Sequence, residues 1–191
     1  MIIAFNKPYG VLSQFTPEPG SSYRTLSEFD FPQDVYPVGR LDADSEGLLL
    51  LTDEKGLVAQ LLEPEQRHER TYWVQVEGVP QEADLHRLRQ GVTIRTWKTL
   101  PCRVQITESA NVLPARVPPI RERKNIPTSW LEITLYEGKN RQVRRMTAQV
   151  GFPTLRLIRV SNGGLRLVDL RLDVGTWREL TSGERALLLQ R

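Results

Sequence analysis

The chain has 191 residues, of which 39% are apolar and 26% charged, and a formal net charge of +3. That is enough apolar content to bury a core and it excludes a chain left disordered by low hydrophobicity, while no apolar run approaches the length of a membrane span and no secretory start follows Met1. A single cysteine, Cys102, excludes an internal disulfide and a thiolate metal cluster, and His68 and His86 are too far apart in sequence to form a zinc motif.

In chain order, residues 2–5 read as a short strand that runs into the turn Asn6-Lys7-Pro8-Tyr9-Gly10. A long polar stretch, 14–34, separates it from a second strand ending at Val38. The leucine run 48–51 reads as a fully buried strand, so the loop before it opens onto a core. Thr52 or Asp53 is positioned to cap a helix over 54–62 that Pro64 closes. Aromatic and β-branched residues predict a strand over 72–76, and 83–89 a short helix ended by Gly91.

Residues 111–127 carry four prolines and four basic side chains and read as an irregular loop suited to contacting RNA. Strict alternation over 130–136 predicts a strand with Leu131, Ile133 and Leu135 on one face. Asn140 is placed to cap a helix reaching Gln149. Strands over 154–160, 165–170 and 176–180 and a C-terminal helix near 183–189 complete the pattern. Strands without regular βα alternation imply an α+β fold with a mixed, largely antiparallel sheet. The length admits one globular domain over 1–191, with two lobes at most.

Charge is unevenly spread. Residues 1–94 carry 8 basic against 15 acidic side chains, a balance of −7, whereas 95–191 carry 18 against 8, a balance of +10. Arginine outnumbers lysine, which suits bidentate contacts to phosphate and points to a polyanion partner, although a basic soluble protein with no such partner has the same balance.

The densest polar cluster is Gly39-Arg40-Leu41-Asp42-Ala43-Asp44-Ser45-Glu46-Gly47. Its acids match an EF-hand spacing in part. The unbroken leucines within the would-be loop, Asp53 in place of the closing glutamate, and the lack of a preceding amphipathic helix argue against calcium. A glycosidase-type carboxylate pair and a plain acidic surface turn are the other readings of these residues taken alone.

Four segments, taken in order, give the cluster a context: Asn6-Lys7-Pro8-Tyr9-Gly10-Val11, then Gly39 through Thr52, then Arg70-Thr71-Tyr72-Trp73-Val74, then Glu137-Gly138-Lys139-Asn140-Arg141-Gln142-Val143-Arg144-Arg145-Met146. Together they resemble the signature segments of the RsuA-type pseudouridine synthases over nearly the whole chain. The resemblance implies an α+β catalytic fold with two subdomains around a central cleft, isomerisation of a uridine in large-subunit ribosomal RNA, and no cofactor or metal. Many members carry an N-terminal S4-type RNA-binding domain, which this chain is expected to lack; with no membrane span or secretory start the chain reads as cytosolic, and a monomer is expected.

By the same resemblance Asp42 matches the catalytic aspartate. Breaking C1′–N1 and joining C1′ to C5 needs an electron-rich group beside the nucleoside, and attack at C1′, attack at C6 and abstraction of a ribose proton all remain open. Arg144 matches a partner arginine. On a helix at 100° per residue, Val143, Met146, Thr147 and Val150 share one face and Arg144 stands at its border, with Arg141 and Arg145 on the outer side, either facing phosphate or merely solvated. Tyr72 matches an active-site tyrosine that stacks on the base, though an aromatic in a strand is commonly core. Arg40 is positioned to fill the gap left by a flipped-out uridine or to hold a phosphate. Lys7 is expected to be structural or to contact phosphate, and Leu157 to line the pocket or pack in the core. A noncatalytic RNA-binding module for ribosome assembly is the alternative, and the need for the Asp42 carboxylate distinguishes the two.

Overall fold

A computed structural model describes residues 1–63, 67–121 and 123–190. Its first elements are β1 (Ile2–Lys7), β2 (Tyr36–Pro37), β3 (Glu46–Thr52), α1 (Lys55–Leu62), β4 (Arg70–Glu77), α2 (Glu82–Arg89), β5 (Thr93–Ile94) and β6 (Trp97–Lys98). There follow β7 (Arg103–Ile106), β8 (Thr128–Leu135), α3 (Gln142–Gln149), β9 (Thr154–Asn162), β10 (Leu165–Arg166), α4 (Leu167–Leu170), β11 (Trp177–Glu179) and α5 (Ser182–Leu189). They form two compact units, residues 1–68 with 158–191, and residues 69–157. The fold is α+β, with a mixed and mostly antiparallel sheet flanked by helices.

In the first unit β1 pairs antiparallel with both β11 and β3, and β3 pairs parallel with β9 at Gly47 opposite Arg159. Both faces of β1 and β3 are buried, which is why their sequences read as unbroken apolar runs. Ile2, Ala4, Leu48 and Leu50 face the apolar side chains of α1 and α5, including Leu57, Leu61 and Leu188. On the opposite face Phe5 meets Phe29 and Phe31, with ring centroids 4.8 and 5.1 Å apart. The polar stretch 14–34 therefore supplies the second layer through its few aromatic residues.

In the second unit β8 lies between β4 and β7, antiparallel to both, and α2 and α3 cover one face of the three. Val74, Val76, Leu131 and Ile133 pack there against Leu85, Leu88, Val143 and Met146. The alternation expected over 130–136 is realised, with Leu131, Ile133 and Leu135 all buried.

Several local expectations are corrected. Residues 165–170 are not one strand: β10 is two residues long, and the chain then coils into α4, placing Leu167 and Leu170, three apart, toward the same core. Asn140 does not cap α3. The cap is Arg141 in a left-handed conformation, φ +50°, and Asn140 Oδ1 accepts from the Arg145 guanidinium at 2.8 Å. The cap of α1 is Glu54 rather than Thr52 or Asp53, although the Thr52 hydroxyl accepts the Glu54 N–H at 3.1 Å. Pro64, expected to close α1, lies outside the described residues. The described part of 111–127 is largely irregular, as expected. It is tied down by Arg116, whose Nε donates to Pro118 O at 2.8 Å, and by Arg156, whose Nη1 donates to Pro114 O at 2.8 Å.

Candidate active site

Asp42, Arg40 and Lys7 lie in the first unit, and Tyr72, Arg141, Arg144, Arg145 and Leu157 in the second. In the first unit the chain between β2 and β3 must turn sharply, and the residues of that turn are pinned one peptide at a time. The Ser13 hydroxyl accepts from Leu41 N–H at 3.0 Å and donates to Leu41 O at 2.7 Å. Asp42 O accepts from Ser45 N–H at 3.0 Å, and Ala43 O accepts from Gly10 N–H at 2.7 Å. Asp42 is half-buried between Leu41 and Ala43, both buried.

The segment that grips the turn is itself anchored. Leu12 N–H and Leu26 N–H donate to Arg24 O and Gln14 O at 2.9 Å each. Lys7, with 0% exposure, reaches from the end of β1 to donate to Val11 O at 2.6 Å and Pro8 O at 3.0 Å. Burial pushes its ammonium down to about 7, opposed by the negative charges of Glu46, Asp44 and Asp42 and assisted by Arg159. The Lys7 ammonium is thus enclosed, with two main-chain carbonyls among its partners. Arg40 is exposed and donates to Gln14 Oε1 at 2.8 Å, with Glu18 at 3.6 Å.

The EF-hand spacing is not realised as a ligand cage. Glu46 begins strand β3, which runs straight through to Thr52, and Asp53 pairs with the chain's own amino terminus. Among the described residues no three His, Cys, Asp or Glu side chains are placed to hold a metal ion.

In the second unit Tyr72 stands opposite Ile133 on the apolar face of β4, partly buried and packed against the core that includes Val143 and Met146. Arg144 is half-buried on α3 beside that core, with Val143, Met146, Thr147 and Val150 buried as the helical spacing predicts. Arg141 is exposed and belongs to the cap rather than to the outer helical face; Arg145, one turn on, is half-buried. Leu157 is a buried member of the same core.

The sequence reading missed Gln142, a buried polar residue at the start of α3. Its amide donates to Glu137 Oε1 at 2.7 Å and its carbonyl accepts from Lys139 N–H at 3.1 Å, so it stitches the turn that launches the helix carrying Arg144. It also missed Ser13. Its partner, Leu41, is 28 positions away, and no local pattern announces such a contact.

Comparison with known proteins adds an independent line. Residues 1–149 match a family model described as RNA pseudouridylate synthase. The chain is 51% identical over 179 residues to ribosomal large subunit pseudouridine synthase E of Vibrio parahaemolyticus, covering 94% of this chain and 73% of that one. It is 53% identical over 167 residues to the protein of the same name from Xanthomonas axonopodis pv. citri, covering 87% and 88%. A crystal structure of a pseudouridylate synthase superposes with a TM-score of 0.79 at 27% identity, over 98% of this chain and 73% of that chain.

Proposed function

The chain belongs to the RNA pseudouridylate synthase family, and from that membership we propose that it isomerises one uridine of large-subunit ribosomal RNA to pseudouridine, with Asp42 as its catalytic carboxylate. The observation that carries this reading is the family match over residues 1–149, which takes in Asp42, Tyr72 and Arg144. The local geometry supports it, since the Asp42 carboxylate is half-buried on a turn whose backbone is held on every side. The C1′–N1 bond breaks, C1′ joins C5, the C5 proton leaves to a base and N1 regains a proton, so no electron carrier is needed. Tyr72 supplies a flat surface for the base, and Arg144 a guanidinium that favours the ionised form of an acid.

A uridine in structured RNA must leave its stack to be reached. Arg40, exposed next to the catalytic position, is placed to occupy the gap or to hold the backbone, and Arg141 and Arg145 to meet phosphates. The protein acts as a monomer in the cytoplasm. No described helix is long and apolar enough to cross a membrane.

The test is pseudouridine mapping of all ribosomal and transfer RNA in cells with and without the gene, joined to an Asp42→Asn variant. Loss at one large-subunit position, with the variant binding RNA but forming no product, is the expected result. Loss confined to transfer RNA or small-subunit RNA overturns the substrate assignment, and full activity of Asp42→Asn overturns the assignment of the catalytic group.

A further inference from the structure

We infer that Ser13 is a positioning residue for the reaction, its single hydroxyl orienting the peptide that carries Asp42. The inference rests on the reading of Asp42 as the catalytic carboxylate. A side chain's direction is set by the two peptide planes on either side of its Cα. For Asp42 these are the 41–42 plane, held through Leu41 O by Ser13, and the 42–43 plane, held through Asp42 O by Ser45 N–H. The planes beyond them are also fixed, 40–41 through Leu41 N–H to Ser13 and 43–44 through Ala43 O to Gly10. Four consecutive peptides are thus pinned, and Ser13 supplies two of the bonds from one oxygen.

Ser13 has the two properties this task requires. The residue is 2% exposed, so water does not compete for either bond. Its own backbone is immobilised, because the amide of Leu12 before it and the carbonyl of Gln14 after it are both bonded to the 24–26 segment. An oxygen held this way behaves as a rigid stop for Leu41. Without it the buried N–H and C=O of Leu41 lose their partner, and the turn must shift to find another. A displacement of about 1 Å at a reacting group costs on the order of a hundredfold in rate while leaving remote binding contacts intact.

The test uses the full chain acting on a large-subunit rRNA transcript labelled with tritium at uridine C5, with release to water as the signal. Ser13→Ala is expected to lower kcat roughly ten- to a hundredfold while KM stays within about twofold, and Ser13→Thr, which keeps the hydroxyl, to restore most of the rate. Should Ser13→Ala melt below the assay temperature, Ser13→Thr and Ser13→Val, matched in shape and differing by one oxygen, decide the matter. A kcat of Ser13→Ala near that of the unaltered protein, or equal kcat for the Thr and Val variants, overturns the inference. Asp42→Asn is run alongside. If it is inactive while Ser13→Ala is fully active, only the role of Ser13 falls; if it is active, the catalytic reading falls and the role of Ser13 with it.

Discussion

Gly47 runs so close to Arg159 that a Cβ at position 47 would lie 2.9 Å from the Arg159 amide nitrogen and closer still to its carbonyl oxygen. Its φ of +97° is also one that side chains rarely adopt. Gly47→Ala is therefore expected to destabilise the protein by about 2–5 kcal/mol, combining backbone strain with overpacking. Urea denaturation would measure it. Because Gly47 lies in β3 directly after the turn that carries Asp42, kcat should fall as well at temperatures where the variant is still folded.

Lys7 gives the protein a defined pH signature. An unfolded lysine holds its proton to about 10.5, whereas Lys7 releases its proton near pH 7, chiefly because burial removes the ammonium from water. Between those values the unfolded chain binds more protons, so stability rises with pH across the window and the deficit is complete below pH 7. The effect is on the order of a few kcal/mol. The Tm of the unaltered protein, minus that of Lys7→Met, should climb from pH 6.5 to pH 9.5. Taking the difference cancels the Met1 amino group, which titrates in both proteins. A flat difference would show that Lys7 keeps its proton throughout.

Cys102 should be chemically silent in the folded state. Its thiol is buried, with Sγ 3.2 Å from Leu88 O, and burial together with the nearby Glu137 pushes it up to about 11. The thiolate is the reactive form and is nearly absent at pH 8. Iodoacetamide at that pH should leave the native protein unmodified by mass spectrometry and label it fully in denaturant.

Tyr72→Phe separates two uses of one side chain. The ring that packs against the core is kept and only the phenol oxygen is lost, so RNA affinity should stay within about twofold. If that oxygen assists removal of the C5 proton, product formation should fall by about a hundredfold, within the range of a lost general base. A rate equal to that of the unaltered protein would limit Tyr72 to stacking.

How far the sequence alone carries the reader depends on the range of the interaction. Strands β1, β3, β4 and β8 were legible because their apolar runs and alternation are local and the cores obey them. The helix carrying Arg144 was legible from its buried face, but its start was not, because Arg141 takes a left-handed conformation stabilised by a turn that Gln142 stitches to Glu137. β7 escaped notice because three of its four residues are exposed and only Val104 turns inward. Residues 165–170 alternate in part like a strand, yet Leu167 and Leu170 are drawn to one core by helical spacing. In the candidate site the acidic turn stood out at once, while Ser13, 28 positions from Leu41, did not.

Four of the hydrogen bonds that hold residues 41 to 43 terminate on main-chain atoms of the turn. The shape of the turn is thereby decoupled from the identity of most of its side chains. Leu41 and Ala43 are asked only to be apolar and to fit, so substitutions of similar volume there should be interchangeable; on the proposal that Asp42 is the catalytic carboxylate, the position between them is the one in the triplet where chemistry, rather than packing, makes the choice.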